Sequence, residues 1–287
     1  MTNICIIKSN TYRLKYKIPK YYEKFFGVSI PDNHIYSILD DQYPSQDDIQ
    51  RFDIFIFTGT KCNEVICQDK PDFFKKILIL IRNIIDADKI IYGTCFGHQI
   101  LSHFFGATIE RRCKKNAWEI GFIDLPLTSG AKKLFPFINN KVNSLTQITV
   151  HHDYVKSIKD TKLLPLLKGQ NSLLITLNEK NQIQTISCQG HFLYDTSYFL
   201  KHHKKLINRN NTPGNAPYKY VKNLVENQIN NRNIQRNYFK SKKNFKKMAK
   251  HYFLERNNLN ERYIIPDDII KLLKENSKSF MEFVDKC

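Results

Sequence analysis

The sequence predicts an α/β fold: a three-layer, mostly parallel sheet with helices on both faces, followed by a helical C-terminal extension. Three observations carry this prediction. Residues 52–57 (FDIFIF) and 89–92 (KIIY) are short, nearly continuous apolar runs, the mark of strands covered on both sides. Between them, residues 71–85 (PDFFKKILILIRNII) open on proline and repeat apolar residues at helical spacing, as an amphipathic helix does. Such strand–helix alternation argues for a parallel sheet.

The elements follow in order. Residues 4–7 form a short apolar run and a first buried strand. Residues 11–35 are rich in Tyr, Lys and Phe and lead to HIYSILDDQYP, a strand followed by a turn. The strand at 52–57 is stopped by Thr58-Gly59-Thr60. The helix at 71–85 leads to the strand at 89–92, and a helix over 97–105 follows it. In the second half, strands are expected over 118–125, 147–150, 172–177 and 183–189. Short helices or turns are expected at 131–135 and 154–158, and one helix at 196–206. NRNNTPGNAPY (208–218) is a Pro/Gly/Asn stretch and marks a boundary. The division is therefore 1–207 for the main domain and 208–287 for a basic, mostly helical extension, with Pro266 opening its last helix.

Composition bounds the function. The 287 residues are 41% hydrophobic, enough for a sizeable core. No apolar run reaches the roughly 20 residues of a membrane span. The opening MTNICIIKSN reads as lacking the apolar region of a secretory signal. Seven scattered cysteines form no paired framework and suit reduced thiols in the cytoplasm or the nucleus. The net charge is +18, and residues 201–287 hold 20 Lys/Arg against 8 Asp/Glu. The extension is thus the basic part of the chain.

One stretch carries chemistry. In IIYGTCFGHQI a buried strand runs into Gly93-Thr94-Cys95-Phe96-Gly97, and a helix follows. A thiol on such a turn is presented at the edge of the sheet, with glycines allowing a strained backbone and close approach. The helix N-terminus favours a thiolate, and the Phe96 N–H points to an oxyanion site. The same spacing also suits a buried packing cysteine. A nucleophilic cysteine needs a base. His191, in QGH directly after the strand at 183–189, falls on the same sheet edge.

These residues together resemble a class I glutamine amidotransferase domain, with its flavodoxin-like fold. The resemblance covers roughly residues 50–200 and the first strand. It runs through Thr58-Gly59-Thr60, GTCFGHQ (93–99), AWEIG (117–121), HHDYV (151–155) and QGH (189–191). The branch resembled is the free-standing, GMP-synthase-like group that includes gamma-glutamyl peptidases. The resemblance implies hydrolysis of a γ-glutamyl amide, with Cys95 as nucleophile and His191 as general acid/base. It implies an oxyanion hole from Gly59, Thr60 and Phe96, and substrate contacts from Gln99, His151 and Asp153. It implies no cofactor and no metal.

The sequence departs from the family at one place. The family ends His-Pro-Glu, with the glutamate orienting the imidazole, whereas this chain reads HFLYD. Leu193 cannot hold a histidine tautomer, and Asp195 is the nearby carboxylate that could serve as third member. Two readings stay open. One is a cysteine hydrolase of a small-molecule γ-glutamyl substrate, any ammonia passing to a separate synthase. The other is an impaired, amidotransferase-like binding protein acting through its basic tail. That tail, from Phe239 through KSKKNFKKMAKHYFLERNN, spaces Phe239, Phe245, Met248, Phe253 and Leu254 among lysines. It suits an amphipathic helix packed on the main domain, a surface for nucleic acid or an acidic partner, or a membrane-surface helix.

Overall fold

The first strand shows how the sheet is covered. In the computed structural model, β1 (Ile4–Lys8) sends Ile4 and Ile6 into one apolar cluster and Cys5 and Ile7 into another, as the two-residue period of a strand requires. The structure describes residues 2–9, 18–60, 71–111, 119–136, 142–169, 172–192, 231–249 and 264–284. β2 (Ile35–Ser37) and β3 (Ile54–Phe57) flank β1, both parallel to it. β4 (Ile90–Thr94) runs parallel to β3. β3 repeats the alternation, with Ile54 and Ile56 on one side and Phe55 and Phe57 on the other.

The sheet continues beyond β4 with β11 (Ile183–Cys188), again parallel. Two antiparallel strands, β10 (Leu173–Leu177) and β9 (Leu164–Pro165), complete the order β2-β1-β3-β4-β11-β10-β9. Two antiparallel pairs stand apart from it. β5 (Thr108–Arg111) pairs with β8 (Asp153–Ser157), and β6 (Glu119–Pro126) with β7 (Ser144–His151).

Helices cover both faces. α2 (Gln46–Arg51), α3 (Pro71–Asp86) and α4 (Phe96–Phe104) pack against the Phe55/Phe57 face, through Ile49, Ile77, Leu80, Ile81, Ile84, Ile100 and Leu101. The Ser45–Asp48 capping box starts α2, satisfying two amides that would otherwise lack partners. The opposite face is covered by α1 (Ile18–Phe26), α5 (Ser129–Leu134) and two helices from the far end of the chain. These are α6 (Arg232–Ala249) and α7 (Asp267–Val284). Phe245 and Met248 of α6, and Ile269, Ile270 and Leu273 of α7, join Tyr22, Phe26 and Tyr92 in one cluster. One layer of the fold is therefore partly built from residues beyond 230.

The expected α/β class stands, and most predicted strands and helices lie within a few residues of their places. Residues 154–158 differ: 154–157 are not a helix or turn but most of β8. Tyr154 Oη and Lys156 Nζ both donate to Glu110 across the β5–β8 pair, a long-range pairing invisible to local pattern. α1, α2, β5 and β9 are not among the predicted elements. The expected helix at 196–206 and the boundary at 208–218 lie outside the described residues. Among the described residues, no helix is long and apolar enough to cross a membrane.

Candidate active site

Cys95 stands between β4 and α4 with φ 56° and ψ −106°, outside the regions open to an ordinary L-residue. Holding a side chain there costs about 1–3 kcal/mol, so the surrounding packing must enforce it. The Cys95 amide donates to the Cys188 carbonyl at 2.9 Å, and the Cys95 carbonyl accepts from the Gln99 amide at 3.0 Å. The glycines on either side serve internal packing. A Cβ on Gly97 would lie 2.2 Å from the Phe57 carbonyl oxygen, and one on Gly93 would lie 2.6 Å from Leu101 Cδ1. They let α4 cross directly over β3 and β4. The strain itself falls on Cys95.

The Cys95–Cys188 bond also explains how the histidine arrives. β4 and β11 end level, with Thr94 opposite Cys188, so the chain leaves both strands at one edge. His191 follows three residues later. Its amide donates to the Ile148 carbonyl of β7 at 2.7 Å. Its carbonyl accepts from the Tyr238 hydroxyl of α6 at 3.2 Å. Gly59 lies over both groups. A Cβ placed there would sit 3.3 Å from Cys95 Cβ, 3.7 Å from Cys95 Sγ and 3.5 Å from His191 Cε1. The sulfur, the imidazole and the Gly59 backbone thus border one point. Ser9 anchors this loop, its Oγ donating to the Thr58 carbonyl at 2.8 Å.

Cys95 is only 8% exposed, and its sulfur lies 4.0 Å from the Val150 carbonyl oxygen. Burial pushes its thiol up to about 12, with the Phe96 backbone amide pulling the other way and the Asp153 charge adding to the rise. The sequence reading expected the helix terminus to favour a thiolate. Desolvation outweighs it, because removing an anion from water costs more than one helix end returns. At neutral pH the Cys95 side chain is therefore a neutral thiol. Below it in α4, His98 is fully buried, its Nδ1 hydrogen-bonded to Ser187 Oγ at 2.9 Å. Burial, then the neighbouring His151, lower its pKa to about 3, so it is neutral.

The H-x-D stretch forms the β7–β8 junction. Gln99 reaches it from α4: its Nε2 donates to the Asp153 carbonyl at 2.7 Å and to Gln189 Oε1 at 3.1 Å. One amide nitrogen thereby ties the elbow helix, the junction and the turn before His191 together. His151 Nδ1 donates to the Asp153 carbonyl at 2.9 Å, and its Nε2 lies 3.8 Å from Glu119. The Asp153 carboxylate accepts from Arg111 Nε at 2.9 Å and from His152 Nδ1 at 2.8 Å. Burial raises its pKa, but the hydrogen bonds from His152 and Arg111 outweigh this and hold it below the usual carboxylate range.

Of the residues predicted from sequence, Gly59, Cys95, Phe96 and His191 meet at one edge, with Thr60 next in the Gly59 loop. Gln99, His151 and Asp153 form the adjoining network. Asp195 lies outside the described residues, as do Leu193 and Trp118. Sequence reading passed over Arg111, Glu119 and Tyr238. Glu119 stood inside the quoted AWEIG stretch. Arg111 carried no local signal, since it meets Asp153 only through the β5–β8 pairing. Tyr238 stood one residue from Phe239, which was assigned to the apolar stripe. The stripe actually runs through Tyr238, Ser241, Phe245 and Met248, while Phe239 is 49% exposed. Among the described residues, no three His, Cys, Asp or Glu side chains group to hold a metal ion.

The chain is similar to known proteins. Residues 65–192, which include Cys95 and His191, match the family described as Glutamine amidotransferase class-I. Gamma-glutamyl peptidase 5 of Arabidopsis thaliana is 24% identical over 169 residues, covering 58% of this chain and 61% of that protein. The chain thus aligns with about three fifths of that relative's length. A "glutamine amidotransferase-like protein" of Schizosaccharomyces pombe is 22% identical over 219 residues, 72% of this chain and 86% of that one. Among solved structures, a glutamine amidotransferase from Thermotoga maritima superimposes with a TM-score of 0.59 at 14% identity. It covers 86% of this chain and 98% of that chain.

Proposed function

We propose that this chain, which carries a class I glutamine amidotransferase-like domain, hydrolyses a γ-glutamyl amide through a thioester on Cys95, with His191 as general acid and base. The observation that supports it is that Cys95, the His191 ring and the Gly59 backbone come together at one edge of the sheet. Cys95 rests as a thiol, so attack requires its proton to pass to His191 as the sulfur–carbon bond forms. The carbonyl oxygen becomes an oxyanion, held by backbone N–H groups of Gly59 or Thr60 and of Phe96. His191 returns the proton to the departing nitrogen, the carbon–nitrogen bond breaks, and a γ-glutamyl thioester remains. Water then attacks the thioester, giving one proton to His191. Cys95 leaves as the sulfur–carbon bond breaks and recovers that proton. His151 and Asp153 border the substrate side, and Gln99 holds that side against the elbow. Released ammonia would pass to a separate synthase or to solvent.

The test is hydrolysis of glutamine, glutathione and a γ-glutamyl anilide by wild type and by Cys95→Ala. The expected outcome is turnover of at least one substrate that Cys95→Ala abolishes. Equal, negligible turnover by both proteins, together with a Cys95 that resists a glutamine-mimicking electrophile, would refute the enzyme reading.

A second reading has its own support. Leu193 stands where the resembled family has its orienting glutamate, and Arg232, Arg236, Lys240 and Lys243 share a basic surface of α6 beside Phe239. In that reading the domain is an impaired relative that binds an acidic partner, a nucleic acid included, through α6. Wild-type turnover lost in Cys95→Ala decides against it.

A further inference from the structure

We infer that α6 belongs to the catalytic apparatus, with Tyr238 as a positioning residue for His191; this rests on His191 being the general acid and base. Both backbone polar groups of His191 are held, and by different parts of the chain. The amide donates to the Ile148 carbonyl of β7, and the carbonyl accepts from Tyr238 of α6. The circuit is closed by packing, because Tyr238, Ile148 and Phe122 form one buried cluster, with the Tyr238 and Phe122 rings edge to face at 5.4 Å. The next residue is held by the same helix. Phe192 is fully buried and stacks on Phe245, ring centroids 4.2 Å apart and planes 18° from parallel. Between these two contacts, Ser241 Oγ accepts from the Thr146 amide of β7 at 2.8 Å.

These three contacts fall at positions 238, 241 and 245, one face of a helix. They fix α6 lengthwise along β7 and over the two residues that end the QGH turn. A histidine on a turn is free to tilt unless its backbone is held, and proton transfer requires hydrogen-bond geometry to the sulfur. The chain places leucine at position 193, so a carboxylate at that position cannot orient the ring. Tyr238, contributed from about fifty residues downstream, adds an anchor on the His191 main chain.

The experiment is Tyr238→Phe in the full chain, which keeps the ring in its pocket and removes the hydroxyl. Three quantities are measured: kcat and KM on the best γ-glutamyl substrate, the NMR resonances of the His191 ring, and the Tm. Leu273→Ala is the control, because Leu273 is buried in α7 against Gly130, and the backbone carbonyl and amide of His191 bond to α6 and β7 instead. The expected result for Tyr238→Phe is a kcat about tenfold lower with KM within twofold, a displaced His191 ring resonance, and a small loss of Tm. Leu273→Ala is expected to lose more Tm with kcat retained. An unchanged kcat and an unmoved His191 resonance in Tyr238→Phe overturn the inference. So does a kcat that falls in proportion to Tm in both variants. If the wild type turns over no γ-glutamyl substrate, the functional reading fails by itself. The His191 resonance then still decides whether Tyr238 positions the ring.

Discussion

Substituting Gly59 by alanine separates the chemistry of this site from its stability. The new methyl would meet Cys95 Cβ at 3.3 Å, His191 Cε1 at 3.5 Å and Cys95 Sγ at 3.7 Å. Only the first is tighter than ordinary contact, and relief of a few tenths of an ångström suffices. The backbone at Gly59 does not require a positive φ, so alanine restricts the unfolded chain at no conformational cost in the fold. That effect stabilises by about 0.4–1 kcal/mol and offsets much of the crowding. Stability should therefore stay within about 1 kcal/mol of wild type. Activity should not. The methyl projects from Gly59 towards the sulfur and the imidazole, so it crowds a carbonyl approaching the sulfur away from its hydrogen-bond donors. Losing such donors costs about 10²–10³ in kcat. The assay is kcat/KM on a γ-glutamyl anilide beside thermal unfolding and the alkylation rate of Cys95. A Gly59→Ala protein with wild-type Tm and wild-type turnover would show that no reacting carbonyl passes this point.

Three further outcomes follow from the same structure. Gly97→Ala contrasts with Gly59→Ala: its Cβ would fall 2.2 Å from the backbone oxygen of Phe57, so α4 must move off β3, and soluble yield or Tm should collapse even though no reacting group is touched. Phe245→Ala should lower the unfolding free energy by about 3–5 kcal/mol, measured by denaturant titration, since Phe245 is fully buried against Phe25, Tyr92 and Phe192. A change under about 1 kcal/mol would mean that α6 is not part of the core. The buried Cys95 thiol sets a pH dependence. Its folded pKa of about 12 lies above the ordinary 9.0, so its contribution to stability is complete below pH 9 and is lost as pH rises towards 12. Alkylation of Cys95 by iodoacetamide in the free protein should accordingly climb about tenfold per pH unit from pH 7 to 9, and a plateau in that range would reveal a resting thiolate.

The chemistry-bearing segments were legible because each is local. GTCFGHQ, HHDYV and QGH are contiguous motifs, and the apolar runs around them mark strands by their two-residue period. Other features depend on residues far apart. Arg111 reaches Asp153 only because β5 pairs with β8, and residues 154–157 are a strand only for the same reason. The protonation of Cys95 reversed between sequence and structure, because a helix terminus is a local property whereas desolvation depends on everything packed around the sulfur. The division at residue 207 suggested by composition is crossed in space, since Phe245 and Met248 share a cluster with Ile4 and Tyr92.

The sequence by itself therefore determined the α/β class, the turn that presents Cys95 and the strand that ends near His191. Each of these is set by patterns within about ten residues. Only the tertiary structure decided that the thiol is neutral at rest, that Gly59 comes close to both Cys95 and the His191 ring, and that Tyr238 holds the histidine backbone. Burial and long-range hydrogen bonds are properties of the packed chain, and no window of sequence contains them.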